Sequence, residues 1–338
     1  MASLLSLWVS GGLFAQQQHE LSVYGGAGLS TLSYKVTAGE QKSGLGGHFG
    51  LGYNFFFSPQ WDLGTGLEFA SYKAGVSMNN LILNYMTVDS NGDTFEFRSS
   101  VNVFQETHRS TLLQIPLLLR YQFQLPSPGK QAFYVAAGVK AGIPAVGNYG
   151  NTASLSNAGF YAYENSLYDT QKFMGFGNFP DNRAEGKLNF KTAFFASLEA
   201  GANWKLKQYK GLSLYTGFYM DYGLNNMVET LRATSLPCLV EYNQSHPNAF
   251  AVNSILQAKY TQNGSTQVLC EKVRPLAAGI RLRLALGIDG KQKQVQTERI
   301  TEVKIKGNAR RIILPPLEPI EKFPKVVITF PKIASVVD

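Results

Sequence analysis

Charge is scarce in this chain. Asp, Glu, Lys and Arg make up 16% of its 338 residues, against roughly 25% in soluble globular proteins. Long apolar runs are missing as well. None approaches the roughly 18 residues of a membrane-crossing helix, so this chain could cross a membrane only with strands. Cysteine is reduced to Cys238 and Cys270. In an exported chain the two could join in a disulfide, stabilising the fold by about 3–4 kcal/mol on the chain-entropy model; two unpaired thiols are the equal alternative. Positive charge is absent from Met1, Ala2 and Ser3, yet the apolar run Leu4 to Phe14 ends at Ala15 before Gln16, Gln17 and Gln18. That pattern predicts an export signal over residues 1–15, with a start further upstream supplying the missing charge and a buried strand as the plain alternative. The net charge of +8 does not indicate nucleic acid, because the last fifty residues hold ten Lys and Arg against six Asp and Glu. A basic stripe interleaved with aromatics, the footprint of a nucleic-acid surface, is lacking.

What the chain does contain is alternation. Thr111 to Gln124 carries Leu113, Ile115, Leu117, Leu119, Tyr121 and Phe123 on one face, and Gln114, Pro116, Arg120, Gln122 and Gln124 on the other. Such a period of two predicts a strand with one apolar face. Its length suits a tilted membrane-crossing strand of roughly 9–11 residues. Seven more segments repeat the pattern: Leu21 to Ser30, Leu45 to Phe55, Trp61 to Phe69, Phe133 to Ile143, Leu188 to Lys205, Leu212 to Tyr222 and Leu276 to Ile288.

The connections alternate in length. Ser58 to Gln60, Leu125 to Lys130 and Lys207 to Gly211 are short, whereas 33–43, 76–108, 146–186 and 225–271 are long. Short turns at one end and long loops at the other characterise bacterial outer-membrane barrels. At the short-turn end the apolar face carries Tyr53, Phe55, Trp61, Tyr121, Phe123, Phe133 and Trp204, an expected interfacial girdle. The opposite face is mostly Gly, Ser, Ala and Asn, too sparsely charged for a water-exposed surface but suited to the crowded lumen of a small barrel. The apolar face is therefore expected to meet lipid. The fold predicted is an all-β, eight-stranded antiparallel up-and-down transmembrane barrel over residues 19–288, followed by a basic, Pro-containing periplasmic tail over 289–338.

Leu113 to Tyr121, Tyr215 to Asn225 and Ala278 to Leu284 resemble segments of the outer-membrane β-barrel proteins common in Bacteroidota, the group of OmpA-type and PorT-like barrels. The resemblance implies a place in the bacterial outer membrane and a non-enzymatic role as membrane anchor or component of an envelope or secretion assembly. Two departures stand out: the last strand ends at Leu286-Gly-Ile288 with fifty residues after it, and that tail is too short for a peptidoglycan-binding domain.

Glu68, Arg120, Lys140, Lys191, Glu199, Asp221, Arg281 and Arg283 are expected to point into the lumen. An eight-stranded barrel is just wide enough for side chains to fill, so these charges should pair with one another as a plug, a narrow path for small solutes being the rival. A lipid-modifying enzyme would need a Ser activated by His. Only His48 lies on a predicted strand, facing the lumen; His19, His108 and His246 fall at the mature N-terminus or in loops, and no catalytic residues are assigned. A soluble ligand-binding barrel would require the apolar face to turn inward.

Asp89 to Asp93 starts like a calcium loop but has Thr94 and Ser100 where Gly and Glu belong. A turn at Asn91-Gly92, joining Leu81–Val88 to Thr94–Val103 as a hairpin beyond the membrane, is expected in its place, and neither metal nor cofactor is assigned. The aromatics Tyr149, Phe160, Tyr161, Tyr163, Tyr168 and Phe173 suit either a binding surface or a loop packed over the barrel mouth. In the tail, Val326, Val327, Ile328, Thr329 and Phe330 could add as a strand to a periplasmic or outer-membrane partner, or the tail could be a plain linker.

Overall fold

The computed structural model describes residues 19–124, 131–206, 211–229, 233–246 and 248–288. The expected export signal, the tail and its strand Val326 to Phe330 lie outside the described residues. Eight long strands carry the fold: β1 (His19–Val36), β2 (Leu45–Phe56), β3 (Trp61–Val88), β4 (Thr94–Gln124), β5 (Gln131–Tyr161), β6 (Ala193–Lys205), β7 (Leu212–Gly223) and β8 (Cys270–Ile288). Each pairs antiparallel with its neighbours in chain order, and β8 returns to pair with β1, His19 opposite Ile288. The ring leaves no open edge in its lower part. Seven of the eight alternating segments of the sequence lie on these strands throughout, and the sixth does so from Ala193.

The alternation determines which side chains go where. Along β4, Leu117 is 49% exposed and Leu118 only 6%, and the same in-out rhythm runs round the ring. Val23, Phe49, Leu67, Ile115, Val139, Leu198, Phe218 and Ile280 stand on the outer wall. Register places like with like: Leu63 faces Leu119, Trp61 faces Tyr121, and the Phe49 and Phe69 rings stack at 5.4 Å. Each such residue would lose water contact only in lipid, at roughly 25 cal/mol per Å² of apolar surface.

β3, β4 and β5 run 28, 31 and 31 residues, about three times the ~9–11 residues a membrane requires. Their upper halves extend the sheet, and the described residues between Leu224 and Leu269 pack against it. This cap contains two small hairpins, Val240–Tyr242 with Phe250–Val252 and Lys259–Gln262 with Ser265–Val268. Leu83, Phe95, Phe97, Phe104 and Leu155 of the sheet bury against Leu239, Val240, Phe250 and Leu269 of the cap. The Phe95 ring meets Tyr161 at 4.9 Å and Tyr242 at 5.0 Å. The molecule thus holds an apolar core above and a polar lumen below.

Some expectations change at the upper end. The sixth segment begins as a strand only at Ala193; Leu188 and Phe190 pack into the capped core, not on the outer wall. The hairpin beyond the membrane forms as expected, with Asp89 N–H bonding Asp93 O at 3.0 Å and Gly92 at φ 91°. The Asp89 carboxylate closes this turn, accepting from the amides of Asn91 (2.9 Å) and Asp93 (3.0 Å) and from the Tyr161 hydroxyl (2.9 Å).

Candidate functional site

The alternation that sends leucines outward sends ionisable side chains into the lumen. Lys140 of β5 lies between Glu68 of β3 (3.1 Å) and Asp221 of β7 (2.8 Å). Asp221 also accepts from the Ser197 hydroxyl at 2.7 Å. Arg281 of β8 donates to Glu68 at 2.9 Å, to Glu199, and through Nε to His48 Nε2 at 2.8 Å. Arg283 donates to the second Glu199 oxygen at 3.4 Å. Six charges from five strands are therefore linked through shared partners, each at most 6% exposed. Charges in such a place persist because the partners are complete.

Tyrosine rings fill the spaces between them. The Arg281 guanidinium stands 5.0 Å from the Tyr24 ring and 5.1 Å from Tyr219, and Arg283 stands 5.2 Å from Tyr24. These are cation–π distances. Glycine makes the room: a Cβ on Gly26 would come within 2.8 Å of His48 Nε2, and one on Gly50 within 2.9 Å of the Tyr24 ring.

Towards the short-turn end lies a second layer. Arg120 lies 3.8 Å from Asp62 and 3.9 Å from Glu20, with its guanidinium over Tyr215 at 4.8 Å and Tyr134 at 5.3 Å. Asn54 donates to Asp62 at 2.6 Å and the Tyr215 hydroxyl donates to Glu20 at 2.9 Å. A cavity in the lumen, lined by Asn54, Arg120, Arg281 and Arg283 among others, has a volume of about 10 Å³, room for roughly one water.

Seven of the eight charges expected in the lumen are there. Lys191 is the exception: it precedes β6, is exposed, and pairs with Glu229 at 3.4 Å outside the barrel. Two lumenal carboxylates went unrecognised in the sequence, Glu20 one residue before the first apolar position and Asp62 on the polar face of the third segment. The seven aromatics of the short-turn end all lie on the outer wall; Trp61 and Tyr121 pack at 4.7 Å, as do Tyr121 and Phe123. Cys238 and Cys270 are separate thiols, one buried and one half-buried, so the disulfide alternative does not hold. Burial pushes both thiols above their usual range.

His108 also departs from expectation, since it lies within β4 and is fully buried. Its Nε2 bonds Glu106 and its Nδ1 lies 2.9 Å from the Tyr34 hydroxyl. Glu106 in turn accepts from the Ser254 hydroxyl of the cap at 2.5 Å. Here the carboxylate stands between Ser and His, so the hydroxyl meets Glu106 and not the imidazole, unlike the Ser–His–carboxylate order of a triad. The cluster clamps the cap to the sheet. Of the aromatics between 146 and 186, Tyr161 enters the core while Phe173 stands 84% exposed.

The sequence pattern of the family described as outer membrane protein beta-barrel domain matches residues 14–229, more than half of the chain. Among solved structures the chain is similar to Neisserial surface protein A (NspA), with 11% identity over 80% of this chain and 97% of that one, at a TM-score of 0.32. OprG from Pseudomonas aeruginosa gives 12% identity over 80% and 98%, at 0.32. The N-terminal barrel domain of OprF from the same organism gives 10% over 80% and 98%, at 0.27. No curated protein matches the chain.

Proposed function

Since the chain belongs to the outer membrane protein beta-barrel domain family, we propose that it serves as a closed, non-enzymatic barrel of the bacterial outer membrane. It anchors its long-loop end as a rigid platform outside the cell and leaves its short turns and tail in the periplasm. The observation that carries this reading is the lumen. Lys140, Arg281 and Arg283 are neutralised by Glu68, Glu199 and Asp221, and the cavity beside Arg120, Arg281 and Arg283 holds about 10 Å³. A solute path would need to break several buried ion pairs at once, each costing roughly 3–5 kcal/mol. The cap packed on the upper core supports closure from above. The Ser254–Glu106–His108 order supports a role without catalysis.

The likeness of Leu113–Tyr121 and Tyr215–Asn225 to Bacteroidota and PorT-like barrels extends the proposal to an envelope or secretion assembly, with residues 289–338 available to a partner. Pull-downs with and without those residues test that part; identical partner sets count against it. Single-channel recording in planar bilayers tests closure. No discrete openings are expected, and a reproducible large open state overturns the plug.

A further inference from the structure

The lumenal cations in the central layer are all paired, but a second set at the upper rim of the barrel is not. From Ile288 upward, β8 presents Leu286, Leu284, Leu282, Ile280 and Leu276 on its outer wall. At ~3.3 Å per residue and a tilt of ~40° this run rises about 30 Å, the depth of the hydrocarbon layer. Arg274 is the next residue on that face. Lys272 follows at φ 51°, where the β1–β8 register shifts between Ser33 and Lys35. Such a bulge re-aims side chains, and a left-handed non-glycine backbone is strain held by its surroundings.

The result is a cavity of about 410 Å³ lined by Lys35, Lys272 and Arg274, with Tyr222, Ser33 and Glu271. Arg274 Nη1 donates to the Tyr222 hydroxyl at 3.0 Å, while its Nε is buried with no acceptor. Glu271 lies across from Lys35 in the β1–β8 register. None of these four ionisable groups forms an ion pair among the described residues. Three cations against one carboxylate, around a buried N–H without an acceptor, make a site for an oxyanion. Leu276, the top of the apolar run, also lines it.

We infer that this cavity binds the phosphate-bearing headgroup of a lipid in the outer leaflet, with the acyl chains lying along Ile280 and Phe218 below. The guanidinium supplies directional donors to the phosphate and the two ammonium groups supply charge. The inference rests on the orientation given under Proposed function, with the long-loop end outside. Lys73 and Arg109, exposed cross-strand partners on β3 and β4, extend the basic rim away from this cavity.

The test is native mass spectrometry of the full chain released from phosphatidylethanolamine nanodiscs containing the bis-phosphorylated glycolipid lipid A. The wild type is expected to retain lipid A. K35Q/K272Q/R274Q should retain at least tenfold less while keeping its heat-modifiable gel shift, and R183Q, on the strand Gly177–Lys187 that pairs with β5, should match the wild type. R274Q alone should lose about half or more, which keeps the test open if the triple variant fails to fold. Equal retention by wild type and R274Q overturns the site. Displacement of lipid A by millimolar inorganic phosphate overturns the lipid as its source. A barrel that conducts ions yet retains lipid A refutes the plug and leaves this site standing, whereas a closed barrel that retains none does the reverse.

Discussion

Replacing Lys140 with Met is the sharpest perturbation of the lumen, because one side chain there serves two carboxylates. The ammonium lies 3.1 and 3.4 Å from the Glu68 oxygens and 2.8 Å from Asp221. Without it Glu68 keeps Arg281 at 2.9 Å, but among the described residues Asp221 keeps only the Ser197 hydroxyl at 2.7 Å. A buried carboxylate is then left without a countercharge, so K140M should destabilise the barrel by about 3–5 kcal/mol. Adding D221N removes that charge and leaves a neutral amide, whose incomplete bonding costs about 1–3 kcal/mol. The double variant should therefore be more stable than K140M by about 1–3 kcal/mol. Urea unfolding from phosphatidylcholine vesicles, followed by the fluorescence of Trp61 and Trp204 on the outer wall, measures both. If K140M falls within 1 kcal/mol of wild type, or D221N worsens it, the lumen is not held by this network.

Other outcomes follow from other parts of the molecule. L117R puts a charge on the lipid face and should cost about 2–4 kcal/mol near the midplane in the same unfolding assay; a change under ~0.5 kcal/mol would contradict the lipid-facing assignment. Folded protein without reductant should react slowly with maleimide, because burial pushes the Cys270 and Cys238 thiols up. After unfolding it should take two adducts, and an intact mass short by two hydrogens would expose a disulfide. Burial pulls the Asp89 carboxyl up, but bonds from the Asp93 amide, the Tyr161 hydroxyl and the Asn91 amide outweigh it and hold the group below its ordinary range. Its contribution is therefore present above the unfolded carboxyl range near pH ~4 and lost as pH falls through the lower folded value. Protection factors of the Asn91 and Asp93 amides should fall as pH drops below ~4 in wild type, and D89N should remove that pH dependence.

The strands were legible because lipid and lumen impose opposite demands on adjacent residues. Leu113 to Phe123 carries an apolar residue at every second position for that reason, and so does Leu276 to Ile288. Above the membrane the demand changes, since an apolar residue there can bury under the cap as well as on the wall. Leu188 and Phe190 extend the parity of Phe194 and Leu198 but sit in the upper core, so carrying the alternation back past Ala193 misplaced Lys191. Glu106 and His108 were hidden by the same change. Their partners Tyr34, Asn151 and Ser254 lie up to 148 residues away, and no spacing along the chain brings them together. The rim cavity was invisible because it depends on a register shift opposite Tyr34, which the period of two does not encode.

The seam between β1 and β8 has a kinetic consequence. His19 pairs with Ile288, so the ring stays open until nearly the whole described chain has been made and threaded. Pairing between such distant residues is slow, because a very long loop must close before any contact rewards it. During that interval β1 and β8 both present free edges, the condition under which strands recruit the wrong neighbour. A chain ending before Ala285, opposite Ser22, would leave the lower part of β1 without its partner, and its fate should be aggregation or degradation, not a smaller barrel.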